Sequence, residues 1–260
     1  MSPKAFFILG YGATRRVESI DHMNSQTSKR RGLRYHRVAG LFEEYINLFP
    51  MGAWIPELKK SSKARYDEVD SLLSRVLPDD TTFLGRFEEN EPLFKHRGLT
   101  LPFGALSDGY RSFIGLVADI LYHLKNACPK SHGLADLAGC VIIDDVDLNL
   151  HPSWQRIVVT TLATAFPRLQ FILTSHSPIV AGTLHAMNVR VVEDKSVMQL
   201  TESIHGLSPD QILISSYFNL SSTRSPAAEK RLAKLSEEVA QHGDPTKAIA
   251  FLKQLSKGNE

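Results

Sequence analysis

Side chains suited to phosphate chemistry are concentrated in the second half of the chain, and the first group lies in VIIDDVDLNLHPSWQ over 141–155. Asp144 and Asp145 follow its apolar run directly. A carboxylate at a strand end can hold a hydrated Mg²⁺ near the phosphates of a nucleotide, and a second carboxylate can orient or deprotonate the attacking water. Aspartate is also common in turns, so this segment alone favours a phosphate site and a plain polar turn equally.

The second group lies in FILTSHSP over 171–178, where His176 follows another apolar run. His176 comes about 30 residues after the acidic pair, with one predicted helix between them. This spacing predicts that the two lie at neighbouring strand ends, where ligands bind in open α/β sheets. His176 can then hydrogen-bond a γ-phosphate or the attacking water. An isolated loop histidine is usually only solvated, and it is the spacing that favours a functional role.

The third group lies in GALSDGYRSFIGLVADIL over 104–121, where apolar residues take up helical spacing after Ser107. Ser107 can cap this helix, and the backbone N–H groups at a helix start attract phosphate. Gly109 permits a close approach of the backbone. Taken alone, a serine before a helix is nearly always a cap and nothing more.

The elements that must position these side chains follow from the hydrophobic spacing. Apolar runs predict strands at 5–9, 140–143 and 170–174, with a closing pair at 189–192 and 197–200. Helical spacing predicts helices at 38–49 and 66–77, from Ser107 onward and from Pro152 onward, while 79–105 holds two or three short strands or loops. Strands that alternate with long helices predict an α/β fold with a mostly parallel sheet and flanking helices.

The composition changes after Gly206, where three helix starts share one pattern. Ser208-Pro209, Ser225-Pro226 and Asp244-Pro245 each place a capping oxygen before a proline at the first helical position. We therefore divide the chain into a domain over 1–206 and a helical appendage over 207–260. The appendage either packs on its own core or docks a partner.

In this order, the segments resemble the C-terminal lobe of ABC-type ATPases, and more closely the RecF- and SMC-like branch of AAA-family ATP-binding proteins. The resemblance is carried by LSDGYR (106–111, the signature), VIIDD (141–145, Walker B), DLNLHP (147–152, the D-loop), TSHSP (174–178, the switch histidine), FFILGYGATRR (6–16) and RVAGLFEEYINLFP (37–50). It spans nearly the whole chain.

The resemblance implies a P-loop NTPase-type fold, with ATP and Mg²⁺ as cofactors. It makes Asp144 the metal ligand, Asp145 and His176 the catalytic residues, and Ser107, Gly109, Arg111 and Asp147 the nucleotide contacts. Since the signature of such ATPases acts on nucleotide held by another subunit, it also implies a second ATPase subunit and a dimer. Several members of the branch are ATPases of anti-phage defence systems that work beside a nuclease, so a nuclease partner is a further expectation.

One part of the family's pocket is missing. The string G-x-x-x-x-G-K-[ST], whose backbone cradles phosphates, does not occur in the 260 residues. Gly10-Tyr11-Gly12 does not replace it, because no Lys-Ser or Lys-Thr follows. We therefore expect a fold without its N-terminal Walker A lobe. A split gene product whose partner supplies the loop, a fragment, and a degenerate ATPase used for binding are the alternatives.

A second departure is Asp145, where the family usually has glutamate. The shorter side chain displaces the carboxylate by about 1 Å, which can cost about 10²-fold in rate, so we expect slow hydrolysis. Two other functions compete with the ATPase: a non-hydrolysing protein-interaction module, and a nuclease with Asp144, Asp145, Asp147 and His151 as metal ligands.

Composition bears on nucleic-acid binding, the redox compartment and membrane insertion. A formal net charge of +2 is too small to indicate nucleic-acid binding, although the basic run KRRGLRYHR over 29–37 could contact DNA phosphates or simply be a solvated loop. Two cysteines without metal spacing fit a reducing compartment. No apolar run approaches the roughly 20 residues that span a membrane. A cytoplasmic protein without a membrane segment is the expectation.

Overall fold

A computed structural model of the chain describes residues 7–17, 35, 37–242 and 244–256. The basic run over 29–37 lies largely outside the described residues, as do the first two residues of the strand predicted at 5–9. The chain divides into two compact units, Met1–Thr183 and Leu184–Glu260. This division comes before the boundary at 206/207 that the change in composition indicated.

The first unit contains eight described strands and six described α-helices. In chain order these are β1 (Phe7–Tyr11), β2 (Arg15–Val17), β3 (Ile46–Leu48), α1 (Met51–Ser61), α2 (Lys63–Val76), β4 (Thr81–Glu88), β5 (Glu91–His96), β6 (Leu99–Pro102), α3 (Asp108–Ala127), β7 (Gly139–Ile143), α4 (Pro152–Gln155), α5 (Val158–Ala165), β8 (Leu169–Leu173) and α6 (Pro178–Gly182).

The acidic pair and His176 follow two strands of a parallel sheet with the order β1-β7-β8. Tyr11, Ile143 and Leu173, the last residues of the three strands, are aligned in register. Because parallel strands finish at the same edge, the residues that follow them gather there. The strands expected around 140–143 and 170–174 are confirmed, and so is the coarse fold class, an α/β fold with a parallel sheet and helices.

The two faces of this sheet differ in burial. Leu9, Val141 and Ile143 lie in the main hydrophobic cluster together with α3, which contributes a fully buried row along one side. On the alternate positions of the edge strands, Ile8 is 39% exposed and Ile172 is 49% exposed. Parallel sheets are normally covered on both faces, so the second face of this sheet is incompletely covered.

Two smaller sheets also lie in the described part of the first unit. Strands β2 and β3 form a parallel pair, and β4, β5 and β6 form an antiparallel sheet, which confirms the short strands expected over 79–105. The helix predicted over 38–49 is wrong, because this segment holds a 3-10 turn at Ala39–Leu41 and then β3. The apolar residues of this segment have helical spacing, but pairing of β3 with β2 overrides that local pattern.

The helix expected from Pro152 onward is interrupted. It begins at Pro152 as predicted, but α4 ends at Gln155, and a separate helix, α5, follows. Ile157, which helical spacing placed on the buried face with Trp154 and Val158, lies in the break and is 45% exposed. The break follows Gln155, whose side chain is fixed by contacts outside the helix, described below.

The described part of the second unit contains a hairpin and three α-helices: β9 (Val191–Glu193), β10 (Ser196–Met198), α7 (Pro209–Ile214), α8 (Pro226–His242) and α9 (Thr246–Ser256). All three predicted helix starts are confirmed. Ser208 and Gln211 form a capping box, Ser225 Oγ accepts from the N–H of Ala228, and the Asp244 carboxylate accepts from the N–H of Thr246. None of the helices that the structure describes is long and apolar enough to cross a membrane.

Candidate functional site

The acidic residues after β7 are held by the neighbouring strand end. Thr174 Oγ1 donates to Asp144 Oδ1 at 2.5 Å and accepts from the N–H of Asp145 at 2.8 Å. The carbonyl of Thr174 accepts from the N–H of Val146 at 3.0 Å, and the N–H of Asp144 donates to the Tyr11 carbonyl at 2.8 Å. We call residues 144–147 the acidic turn. One hydroxyl therefore orients the Asp144 carboxylate and fixes the backbone of Asp145.

The backbone of the acidic turn is left-handed at Asp145, where φ is +47°. Few residues other than glycine adopt this region, and aspartate and asparagine do so more readily than most. The carbonyl of Asp145 accepts from the N–H of Leu148 at 3.1 Å, and its N–H is bound to Thr174. Contacts on both sides thus maintain a conformation that the sequence did not predict.

Arg15, which sequence reasoning missed, begins β2, and its side chain contacts the backbone of this turn. Its Nη1 donates to the carbonyls of Gly12 and Asp144 at 2.7 and 2.5 Å, and its Nη2 donates to the carbonyl of Asp145 at 2.9 Å. Burial lowers the pKa of Arg15, and the charges of Asp145, Asp144 and Asp147 act in the opposite direction. The charges of the three predicted acidic residues therefore all act on one guanidinium group.

Asp147 is partly buried, and its Oδ1 is an enclosed oxygen with no hydrogen-bond partner in the described part of the chain. The signal that could have found Arg15 was its place in GYGATRR, four residues after the end of β1. Gly12 in the same segment has a packing role, because a Cβ there would clash with the Gly40 carbonyl.

His176 lies three residues after β8, on the same edge of the sheet, and its side chain is exposed. The residues around it have structural roles. Ser177 Oγ accepts from the N–H groups of Ile179 and Val180 and so caps α6, and it also donates to Gln155 Oε1 at 2.6 Å. The loop that carries His176 is therefore anchored, while the imidazole itself remains accessible to a ligand.

The polar residues of the LHPSWQ segment have structural roles. His151 caps α4 through Nδ1, which accepts from the N–H of Ser153, and Gln155 Nε2 donates to the Leu150 carbonyl at 2.9 Å. Gln155 thus joins this segment to Ser177. Among the described residues, no group of three or more His, Cys, Asp or Glu side chains could hold a metal ion. The nuclease hypothesis, which needed His151 and the acidic turn as ligands, gains no support.

Ser107 occupies the N-cap position of α3, as predicted, but its exposed hydroxyl makes no capping hydrogen bond within the described structure. The backbone carbonyl of Ser107 accepts from the N–H of Arg111. Arg111 forms an ion pair with Asp108, and its enclosed Nε has no hydrogen-bond partner among the residues described. The Ser107 hydroxyl is therefore available to a ligand at the start of a 20-residue helix.

Gly109 is constrained by the chain itself. A Cβ at this position would lie 2.6 Å from the carbonyl oxygen of Asn149. Next to it, the Tyr110 ring meets the Trp154 ring edge to face at 4.8 Å, and the Tyr110 hydroxyl donates to Asp80 at 3.2 Å. The close approach at Gly109 in this structure is to the segment that follows the acidic turn, and its nucleotide contact stays a prediction.

The predicted site residues therefore fall into two groups. Asp144, Asp145 and Asp147 lie in the acidic turn, with His176 at the adjoining strand end, whereas Ser107, Gly109 and Arg111 lie at the start of α3. Within the described ranges, no hydrogen bond or ion pair joins the second group to the first.

The donor chemistry of the acidic turn fits Mg²⁺. In nucleotide sites this ion is held by one or two carboxylates, with phosphate oxygens and water completing the octahedron. Asp144 provides an oriented carboxylate, and the enclosed, unpartnered Oδ1 of Asp147 lies in the same turn. A cage of three protein ligands is not required for such a site.

The sequence is similar to one family model and to several curated proteins. A family model described as "AAA domain, putative AbiEii toxin, Type IV TA system" matches residues 14–181. Septu protein PtuA of Bacillus mycoides (strain KBAB4) is 26% identical over 221 residues, which are 83% of this chain and 30% of that protein. Retron Ec83 probable ATPase of Escherichia coli is 34% identical over 108 residues, 42% of this chain and 20% of that protein. The chain thus spans less than a third of the length of these curated relatives.

A solved structure described as "Structural biochemistry of ATP-driven dimerization and DNA stimulated activation of SMC ATPases" shares 13% sequence identity with the chain. The superposition has a TM-score of 0.39 and covers 58% of this chain and 90% of that one. It is too loose to carry an argument, so the assignment of a family rests on the sequence comparisons.

Proposed function

Because the matching family model covers more than half of its residues, the chain belongs to the family described as "AAA domain, putative AbiEii toxin, Type IV TA system", and we propose that it forms the catalytic half of an ATP-hydrolysing machine. The membership confirms the resemblance to AAA-family ATP-binding proteins. In the proposal, this chain supplies the signature, the Walker B carboxylates and the switch histidine, and another segment supplies the phosphate-binding loop.

The observation that carries the proposal is the hydrogen bond from Thr174 to Asp144. It ties the end of β8 to the acidic turn after β7, so the carboxylates and His176 share one edge of the sheet. A polar turn that binds no ligand would not need a hydrogen bond that orients a carboxylate oxygen. Ligands of open α/β sheets bind at this edge.

The chemistry follows from these positions. Mg²⁺, when bound, would neutralise charge on the phosphates, with Asp144 as its protein ligand. Asp145 orients the attacking water and accepts its proton, while the water oxygen forms a bond to the γ-phosphorus and the bond to the β-phosphate oxygen breaks. His176 hydrogen-bonds a γ-phosphate oxygen. ADP and inorganic phosphate are the products.

The sheet has room for the missing loop. In the described part of the chain, β8 pairs only with β7, and Ile172 of β8 is 49% exposed. A parallel strand added at the free edge of β8 would end beside Thr174 and His176. The loop that follows such a strand would then meet the phosphates that the acidic turn and His176 serve. We place the strand–loop–helix unit of the phosphate-binding lobe at this edge.

Partners follow from the same arrangement. The exposed Ser107 hydroxyl, with the N–H groups of α3, would contact a nucleotide held by a second ATPase subunit, so the active form is a dimer. From the resemblance and the relatives, we further propose a role in phage-defence or DNA-related machinery with a nuclease partner, in the cytoplasm.

The direct test is ATP hydrolysis by the chain alone and mixed with a separately produced polypeptide that carries G-x-x-x-x-G-K-[ST]. We expect hydrolysis only in the mixture, with loss of activity in Asp144→Asn. Asp136→Asn, a matched change at an exposed position outside the site, should retain it. A mixture that hydrolyses no ATP, or that is equally active with Asp144→Asn, would overturn the proposal.

A non-hydrolysing interaction module is the alternative, and one observation favours it. Val192 and Val197 face each other across the β9–β10 hairpin and are 72% and 68% exposed. An isolated two-stranded hairpin is marginal in water, and an exposed apolar pair on it favours a covering partner. If ATP neither raises the melting temperature nor is hydrolysed, while Val192→Lys abolishes binding of the loop-bearing polypeptide, this alternative replaces the ATPase.

A further inference from the structure

The left-handed residue of the acidic turn is held from two directions. On one side, Thr174 binds the N–H groups of Asp145 and Val146. On the other side, the carbonyls of Asp144 and Asp145 accept from the two terminal nitrogens of Arg15. Strained backbone persists only where its surroundings over-determine it, and these contacts are the ones that do so here.

The planar guanidinium suits this task. Its two terminal nitrogens lie in one rigid fork, so they can meet two successive carbonyls and fix the orientation of both peptide planes. Nη1 also reaches the Gly12 carbonyl at 2.7 Å, which links the segment after β1 to the segment after β7. A lysine has one compact nitrogen on a flexible stem and cannot hold the two peptide planes in the same way.

Arg15 donates to main-chain oxygens in every hydrogen bond that the structure describes for its side chain. Arg15 therefore does not occupy the carboxylate oxygens of Asp144 and Asp145, although both charges act on Arg15. A residue that served only as a counter-charge would be expected to bind the carboxylates themselves. By binding the backbone carbonyls, Arg15 instead fixes the direction in which those carboxylates project.

We propose that Arg15 is a positioning residue, which holds the carbonyls of Asp144 and Asp145 and thereby fixes the two carboxylates at the edge of the sheet. The role assigned to the carboxylates rests on the proposed function. The holding of the turn does not, and it can be measured in the folded chain without nucleotide.

The test is amide hydrogen exchange of the full chain, with Arg15→Lys and Arg15→Gln compared to wild type. Arg16→Gln is the matched control, because Arg16 is the next residue of β2, is exposed, and lies over the Tyr45 ring. Loss of a charge-assisted hydrogen bond should speed exchange of the Asp145 and Val146 amides about 10-fold or more. We expect this in both Arg15 variants and not in Arg16→Gln. If Arg15→Gln does not fold, Arg15→Lys gives the same comparison.

Two results would overturn the proposal. If Arg15→Lys exchanges like wild type, positive charge alone suffices and the fork is unnecessary. If exchange rises equally along β1, β7 and β8, the residue only stabilises the fold. In the assembled ATPase, we expect Arg15→Gln to lower kcat and to leave the KM for ATP unchanged. Arg15→Lys should not restore the wild-type kcat. Failure of the wild-type assembly to hydrolyse ATP would count against the proposed function and leave the exchange result intact.

Discussion

The Thr174 hydroxyl donates a 2.5 Å hydrogen bond to Asp144 Oδ1 while it accepts from the N–H of Asp145 at 2.8 Å. One side chain directly after β8 thus controls both the orientation of the first carboxylate and the backbone of the second. The motif wording TSHSP draws attention to His176, but the residue that touches the acidic turn is the threonine two positions before it.

Thr174→Val should separate this role from packing, because valine keeps the shape and removes the hydroxyl. We expect the free energy of unfolding to fall by about 1 kcal/mol, the usual contribution of a hydrogen bond. The rate of ATP hydrolysis by the assembled complex should fall about 10-fold or more, since the Asp144 carboxylate is no longer oriented. Urea unfolding and steady-state kinetics measure the two effects. Thr174→Ser, which keeps the hydroxyl, should preserve both, and a slow Thr174→Ser would contradict the assignment.

Asp145→Glu should raise the turnover of the assembled complex. The longer side chain carries the carboxylate about 1 Å further, and a misplacement of that size can account for about 10²-fold in rate. Glutamate adopts the left-handed region less readily than aspartate, so a small loss of stability should accompany the gain. Single-turnover hydrolysis measures the effect, with Asp145→Asn as the variant that lacks a base. An unchanged or lower rate in Asp145→Glu would count against Asp145 as the catalytic carboxylate.

Gly109→Ala should destabilise the start of α3. The new methyl carbon would lie 2.6 Å from the Asn149 carbonyl oxygen, so the helix start or the loop must move. Overpacking of this kind costs about 1–3 kcal/mol. Chemical denaturation measures it, and Ser112→Ala, which removes only a half-buried hydroxyl from the same helix, is the control. If Gly109→Ala is as stable as the control, the glycine is not required by packing and its role lies with the nucleotide.

Tyr11 should make folding stability depend on alkaline pH. Burial, and then the charge of the hydrogen-bonded Asp119, raise the pKa of Tyr11 well above its ordinary value. The folded chain therefore keeps this phenol protonated where the unfolded chain ionises it. The stabilisation is complete below about pH 10, and it is lost as the pH rises from there toward the folded pKa.

Tyr11→Phe should remove that part of the pH dependence and lower stability at neutral pH by about 1–3 kcal/mol, because buried Asp119 loses a donor. Denaturation midpoints of both proteins between pH 7 and 11 provide the measurement. Other phenols and lysines titrate in the same range, so the decisive quantity is the difference between the two curves. Parallel curves would show that Tyr11 does not contribute.

Much of the fold was accessible from local patterns. The strands around 140–143 and 170–174 were predicted from short apolar runs that end in polar turn residues, and the helix after Ser107 from a long stripe at helical spacing. The segment 38–49 was assigned wrongly because pairing of β3 with β2 overrides its helical spacing. The break at Ile157 likewise depends on contacts of a neighbouring side chain.

The site was predicted in outline by the same means. Placing Asp144, Asp145 and His176 at one edge required only the order of strands and a helix, since parallel strands finish together. Their assignment as metal ligand, base and phosphate contact stays a prediction. Arg15 was missed because its partners are backbone carbonyls 129 and 130 positions away, which leave no pattern in the sequence.

By itself, the sequence determined the family, the order of the motifs and the absence of G-x-x-x-x-G-K-[ST] from these 260 residues, because these depend on residue types and spacing alone. Only the tertiary structure decided what holds the motifs in place: Thr174 on the acidic turn, Arg15 across two strand ends, and the Asn149 carbonyl against Gly109. Such contacts join residues far apart in the chain, and their geometry exists only after the sheet has aligned its strands.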